Sequence, residues 1–310
     1  MEKPVLAVAG IGATGVVLAA ALLSRDPDVL VVDPQPGLAE TLARNGLRVS
    51  GEIAYQVPVK QVFSTLEELK DRRPDVVFAA TKTFHLPQVL KGLEAVFRPG
   101  MKIVSTHNGL GTEDVIADKF GAKSALRMSL NYGVSLKGPG QVETAFFNRP
   151  NHLGGLAPES RETGLWLSDA LTAAGLDTAY VDDIKAYVWK KMIMKCTMAS
   201  ICAVTDRTIK DALGFPPTRE IADCCFQEAM AVAKAKGYDL GADYLKEALA
   251  YLEKVGIHKD SMCFDVANQS RTEIDFLGGK VVEYGRETGV PTPCYSVMTN
   301  LVRDLENRYL

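Results

Sequence analysis

The stretch Val5-Leu6-Ala7-Val8-Ala9-Gly10-Ile11-Gly12-Ala13-Thr14-Gly15-Val16-Val17-Leu18-Ala19-Ala20-Ala21-Leu22-Leu23 decides the fold. Its first residues, Val5-Leu6-Ala7-Val8, read as a buried strand, and residues 15–23 read as an apolar helix. Between them stand three glycines spaced Gly10-x-Gly12-x-x-Gly15. In such a turn the first glycine allows a tight bend, the second lets backbone approach a pyrophosphate, and the third lets helix and strand pack closely. The helix start then offers unpaired N–H groups and the positive end of its dipole to phosphates. Gly10, Ile11, Gly12, Ala13, Thr14 and Gly15 are therefore the expected cofactor-binding turn for a dinucleotide. An ordinary glycine turn is the bland reading, and the strand–turn–helix setting argues against it.

Outward from this turn, strand-like runs recur at Val29-Leu30-Val31-Val32, Val76-Val77-Phe78 and Ile103-Val104, with helix-like stretches such as 86–97 between. Continuous apolar strands separated by helices predict a parallel sheet covered on both faces. Asp33 ends the second strand about 20 residues past the turn, where a carboxylate accepts from the adenosine ribose hydroxyls and repels a 2′-phosphate. The next residues, Pro34-Gln35-Pro36-Gly37, bring no cation for such a phosphate. NADH is accordingly expected over NADPH. Past Asn131 come a strand over 141–147, a helix over 159–174 and a strand over 178–181, and from Asp183 onward the pattern is almost wholly helical. The expected fold class is an α/β Rossmann-type dinucleotide-binding domain, residues 1–182, followed by an all-α C-terminal substrate and catalytic domain, residues 183–310.

Bulk composition excludes several classes. The 310 residues are 47% hydrophobic and 24% charged, ordinary for a chain with a full core. A formal net charge of -3 lacks the basic excess of a nucleic-acid binder. No apolar run has the length of a membrane span, and the first residues do not read as a leader peptide, so a cytoplasmic location is expected. The 6 cysteines form no Cys-x-x-Cys pair and are expected as reduced, buried thiols, with no metal site.

The segment 187–204 carries Lys191 and Lys195 on an otherwise apolar helix, four residues apart and so on one face. Lysines are rarely buried unless paired or working. Two neighbouring ammonium groups repel, and repulsion and desolvation both lower a lysine pKa. A lysine tuned downward can act as general acid toward a carbonyl oxygen. The bland reading is that these lysines snorkel to the surface from the helix start.

Several dispersed motifs occur in one order: Gly10 to Gly15, Lys82 in Ala80-Thr81-Lys82-Thr83, His107-Asn108-Gly109, Trp189-Lys190-Lys191, and Ser261-Met262 with Arg271-Thr272-Glu273-Ile274-Asp275. In this order, across essentially the whole chain, the sequence resembles the ketopantoate reductases (2-dehydropantoate 2-reductases). The resemblance implies roles. Lys191 takes the place of the general acid that protonates the substrate's keto oxygen. Asn108 touches both cofactor and substrate, and Lys82 lies near both. Ser261 contacts substrate. Glu273 holds the nicotinamide-side ribose close to the general acid. Lys191 and Glu273 are thus the expected catalytic pair, and Asn108, Lys195, Ser261 and Lys82 the expected substrate contacts. His107 reads as a packed or turn histidine.

Two positions depart from the resemblance. The family places asparagines one and two turns after the general acid, where this chain has Lys195 and Ala199. A lysine grips a carboxylate as a point charge, and alanine removes a donor and an acceptor. The expected reaction is reduction of a 2-oxo acid by NADH or NADPH, by default 2-dehydropantoate to pantoate. A different 2-oxo or imino acid is the alternative, and a non-catalytic dinucleotide sensor a further one. The apolar C-terminal helices read equally as a domain core or as the interface of a homodimer.

Overall fold

The computed structural model describes residues 3–310, which divide into two compact units. The first comprises residues through His107 together with Thr112–Ile184; the second comprises Asn108–Gly111 and Lys185–Leu310. The strands of the first unit are β1 (Leu6–Ala9), β2 (Leu30–Val32), β3 (Leu47–Gly51), β4 (Tyr55–Val57), β5 (Val62–Phe63), β6 (Val76–Ala79), β7 (Lys102–Ser105), β8 (Ala125–Ser129), β9 (Tyr132–Gly138), β10 (Gln141–Phe147), β11 (Asn151–Gly155) and β12 (Thr178–Tyr180). Its helices are α1 (Ala13–Leu23), α2 (Leu38–Asn45), α3 (Leu86–Leu93), α4 (Thr112–Phe120) and α5 (Arg161–Ala173).

The larger sheet runs β12-β11-β8-β7-β6-β1-β2-β5. Its pairs are parallel except β8 with β11. Strands β1, β2 and β6 are apolar at every position because both faces are covered. Val8, Val31, Val76 and Phe78 join the core on the α1 side. Their neighbours Ala7, Leu30, Val77 and Ala79 join the opposite core with α3. Successive side chains of a strand point to opposite faces, so each strand feeds both cores.

A second sheet, β4-β3-β10-β9, lay outside the sequence expectation apart from the strand over 141–147. It accounts for a feature of α1. Residues 15–23 of that helix are buried all round, which a helix covering only one sheet does not require. Leu47, Val49 and Val142 of the second sheet share one core with α1, so the helix is sandwiched. Strands β3 and β4 are short, and β9 is partly exposed.

The second unit is helical, and among its described residues no strand occurs. It contains nearly all of α6 (Ile184–Thr205), then α7 (Ile209–Gly214), α8 (Pro216–Ala235), α9 (Tyr244–Val255), α10 (Ser261–Ala267), α11 (Gly278–Thr288) and α12 (Pro293–Asn307). No described helix is long and apolar enough to cross a membrane. The reading of all six cysteines as reduced thiols is corrected. Cys196, Cys202, Cys225 and Cys263 are free and buried, but Cys224 and Cys294 form a disulfide. The packing of α8 against α12 brings these two together across a sequence separation of 70, which spacing alone cannot reveal.

Candidate active site

In the first unit the parallel register brings several strand ends to one edge. Ala9 of β1 pairs with Ala79 of β6, which pairs with Ser105 of β7. The residues that follow are Gly10, Ala80-Thr81-Lys82 and Thr106-His107, so the glycine turn and Lys82 occupy the carboxyl edge, where ligands bind in such sheets. Gly10 has φ +95, and its N–H donates to the Val32 carbonyl at 2.8 Å. A Cβ on Gly15 would sit 1.9 Å from the Gly10 carbonyl oxygen, so only glycine fits. At Gly12 a Cβ would meet nothing within 4 Å. Gly12 is the N-cap of α1, and no side chain caps that helix. Packing demands Gly10 and Gly15, whereas Gly12 faces open space at a bare helix start. That arrangement fits a diphosphate.

Asp33 lies beside this turn. Its Oδ2 accepts the Ile11 N–H at 2.7 Å and its Oδ1 accepts the Gln35 N–H at 2.9 Å. Two backbone donors thus fix the carboxylate at the strand end while each oxygen keeps a further lone pair. Tyr132 of β9 donates from its hydroxyl to the Thr14 carbonyl at 3.3 Å, tying the second sheet to the same turn.

Behind the β7 end lies a buried polar network. His107 is buried, with Nδ1 3.0 Å from the Ser105 hydroxyl and Nε2 3.3 Å from the Thr81 hydroxyl. Burial first, and the Arg127 charge second, push its pKa down to about 3. It is therefore a neutral packed residue near pH 7, as the sequence suggested. Arg127 of β8 donates to the His107 carbonyl at 2.5 Å and to the Ser105 hydroxyl at 2.9 Å. It also bonds the Thr112 hydroxyl and stands 3.6 Å from the Glu113 carboxylate. Sequence reading missed this fully buried arginine, because its partners converge from β7, the segment after it and α4.

The second unit assembles the lysine cluster. Its short segment Asn108–Gly111 leaves β7 and packs among the helical residues. The Gly109 N–H points to the Met192 sulfur at 3.1 Å, and the Leu110 N–H donates to the Phe276 carbonyl at 3.0 Å. Gly109 has φ +148, and a Cβ there would lie 3.0 Å from the Phe276 carbonyl oxygen. Held this way, Asn108 accepts through Oδ1 from the Lys191 ammonium at 3.0 Å. One turn along α6, Lys195 donates to Asp260 Oδ1 at 2.8 Å, Asp260 Oδ2 at 2.6 Å and the Ser261 hydroxyl at 2.8 Å. Glu273 stands at the N-cap of a 3-10 turn, Ile274–Phe276, and its charge acts on Lys195.

Of the expected residues, Lys191 meets Asn108, and Lys195 meets Ser261. Lys195 does not stand as a bare like charge beside Lys191. Burial lowers its pKa, but Asp260, by charge and by hydrogen bond, outweighs burial, and Glu273 and Asp265 add to it, so the net shift is upward. Asp260 was missed. It is the N-cap of α10, accepting from the Met262 N–H at 2.9 Å. An aspartate just before a helix was the available signal. Ser261 follows it as the first residue of α10.

With this geometry in view, the chain matches the family described as "Ketopantoate reductase PanE/ApbA" over residues 6–157 and its C-terminal counterpart over residues 183–306. It is 27% identical over 303 residues to a 2-dehydropantoate 2-reductase of Streptococcus pyogenes serotype M3, covering 96% of this chain and 97% of that protein. Among solved structures, a 2-dehydropantoate 2-reductase from Geobacter metallireducens superposes with a TM-score of 0.88 at 24% identity, covering 96% of this chain and 99% of that one. A D-mandelate dehydrogenase, solved with NADH and anilino(oxo)acetate, gives a TM-score of 0.88 at 24% identity, with 98% of each chain covered.

Proposed function

This chain belongs to the ketopantoate reductase family, and on that premise we propose that it reduces a short 2-oxo acid to the 2-hydroxy acid, by default 2-dehydropantoate to pantoate. The observation that carries the proposal is the Lys191–Asn108 hydrogen bond at 3.0 Å, which joins residues 83 positions apart. An ammonium and an amide so joined can grip one carbonyl substrate between them, and only the ammonium can give up a proton to it.

A reduced nicotinamide dinucleotide, when bound, supplies the hydride that adds to the keto carbon. Gly10, Ile11, Gly12, Ala13, Thr14 and Gly15 would hold its diphosphate, and Asp33 its adenosine ribose. Lys82, Asn108 and Glu273 are proposed as further contacts. The N–H bond of the Lys191 ammonium breaks and the proton passes to the developing alkoxide, leaving a neutral amine that solvent reprotonates. Asn108 orients the substrate through its amide. General acid catalysis of this kind contributes roughly 10²–10⁴-fold in rate. Lys191→Ala is therefore expected to lower kcat by about that factor while NADH affinity, read by fluorescence quenching, stays near wild type. Wild-type turnover in that variant would remove Lys191 from the mechanism.

The fixed Asp33 carboxylate supports NADH as the preferred cofactor. Asp33→Asn is expected to raise the NADPH:NADH ratio of kcat/KM by roughly tenfold, the scale of one charged hydrogen bond. An unchanged ratio would detach Asp33 from cofactor choice.

A second reading concerns the substrate. Ala199 is fully buried and offers no polar atom, and the N–H groups of Lys195 are engaged by Asp260 and Ser261. Both observations favour a 2-oxo acid whose side chain differs from ketopantoate and carries no second carboxylate. Initial rates of NADH and NADPH oxidation with ketopantoate and a panel of aliphatic, aromatic and dicarboxylic 2-oxo acids test both readings. Highest kcat/KM on ketopantoate supports the default, and highest kcat/KM on another monocarboxylate supports the second. No oxidation with any of them would leave a dinucleotide sensor.

A further inference from the structure

Lys191 and Lys195 share one face of α6. Two uncompensated ammonium groups at that spacing would depress each other's proton affinity, and burial would add to the effect. Lys195 forms an ion pair with Asp260, and the two side chains are 17% and 7% exposed. Asp260 engages Lys195 with both carboxylate oxygens, at 2.8 and 2.6 Å, and Ser261 takes a third hydrogen bond at 2.8 Å. The carboxylate is also pinned independently, because its Oδ1 accepts the Met262 N–H at the start of α10. The lysine is thus drawn to a carboxylate that the helix already positions.

We propose that Asp260 is a positioning residue which, by holding Lys195 in a charge-neutral pair, sets the proton affinity of Lys191 and keeps it a loaded proton donor at neutral pH. The proposal rests on the reading of Lys191 as general acid. In the wild type, Lys191 senses Lys195 and Asp260 as opposite charges whose effects largely cancel. Without the carboxylate it senses a bare cation, which makes its own proton easier to lose. Without Lys195 it senses a bare anion, which makes that proton harder to lose. Without both, it returns close to its starting point. Opposite signs from two partners in one ion pair are what a merely structural contact does not produce.

Other titratable or polar groups border this cluster. On α6 they are Lys190 and Cys196, the latter held neutral because burial raises its pKa. From α9, Tyr244 donates to the Lys190 carbonyl at 2.5 Å and is likewise raised by burial. From α10 come Asp265 and Cys263, the thiol lowered by its hydrogen bond with Cys202. Glu273 stands at the 3-10 turn, and Asn108 meets Lys191 itself. All of these remain constant between the variants below. The net upward shift of Lys195, against the pull of burial, keeps its ammonium charged through neutral pH.

The test measures the Lys191 titration directly, by NMR of the resting enzyme labelled with [ε-¹³C]lysine, its signal assigned by loss in Lys191→Ala. The high-pH limb of kcat is recorded alongside. Asp260→Asn, which retains a good N-cap, is expected to lower the Lys191 midpoint by about one pH unit or more. Lys195→Met is expected to raise it by a similar amount. The double variant should return within a few tenths of wild type, and Asp260→Glu, which restores the charge, should stay there. Should a single variant fail to fold, Asp260→Ser or Lys195→Gln carries the same sign. Midpoints that do not move, or that move in the same direction in both single variants, overturn the proposal whatever the kinetics show. Midpoints that move oppositely while the kcat limb stays fixed uphold it, and remove instead the assignment of Lys191 as the acid.

Discussion

At the scale of single residues, burial decides which groups are available for chemistry. His107 sits beside Asn108 in sequence, yet its pKa of about 3 keeps it neutral near pH 7. That depression also has a consequence for stability. The unfolded chain protonates this imidazole near pH 6.5, while the folded chain resists down to about 3. Between those values the unfolded state binds more protons, so stability falls as pH falls through the window. At pH 5 the loss from His107 alone is about 2 kcal/mol. Urea titrations of the protein and of His107→Gln at pH 7 and pH 5 check this; equal pH dependence in the two would remove His107 as its source. Lys191, Lys195 and Asn108 were legible in the sequence because each residue type was improbable or pointed at its position. Asp260 and Arg127 were not, because their significance lies in partners 65 residues away in one case and drawn from β7, α4 and the segment between them in the other.

At the scale of elements, the glycine turn separates packing from binding. Gly15 has no room for a methyl group, whereas Gly12 has open space around it. Gly15→Ala is expected to destabilise the protein by about 2–3 kcal/mol through overpacking. Gly12→Ala should change stability by no more than about 0.5 kcal/mol but weaken NADH binding by about tenfold, or ~1.4 kcal/mol. Thermal unfolding and cofactor titration of the two variants check the pair, and equal losses of stability would show that Gly12 is also a packing glycine. The strand–turn–helix unit itself was legible because three independent signals agreed within nineteen residues: apolar run, glycine spacing, apolar helix. The second sheet was hidden for the converse reason. Its strands are partly exposed, two of them are short, and β3 pairs in parallel with β10 from far along the chain.

At the scale of the whole molecule, hydrophobic periodicity distinguished an α/β part from a helical part, since strands and helices differ in period and the two lie in separate stretches of chain. Periodicity did not reveal that Asn108–Gly111 packs with the later helices, because a four-residue segment has no period. Nor did it reveal the Cys224–Cys294 disulfide. That cross-link predicts four titratable thiols in the denatured, unreduced protein and six after reduction. By the loop-closure estimate for a separation of 70, its loss costs about 4 kcal/mol. Thiol counting with a chromogenic disulfide reagent and unfolding with and without reductant check both figures. Six thiols before reduction would show the pair to be open.

The proposed role of Lys191, giving the proton that accompanies hydride transfer to a 2-oxo acid, is open to single-turnover measurement with saturating NADH and the best acid of the panel, following NADH absorbance in wild type and Lys191→Ala. Rapid loss of absorbance is expected in the wild type and a rate lower by about 10²–10⁴-fold in the variant, with cofactor affinity retained. Equal single-turnover rates in the two proteins would contradict it.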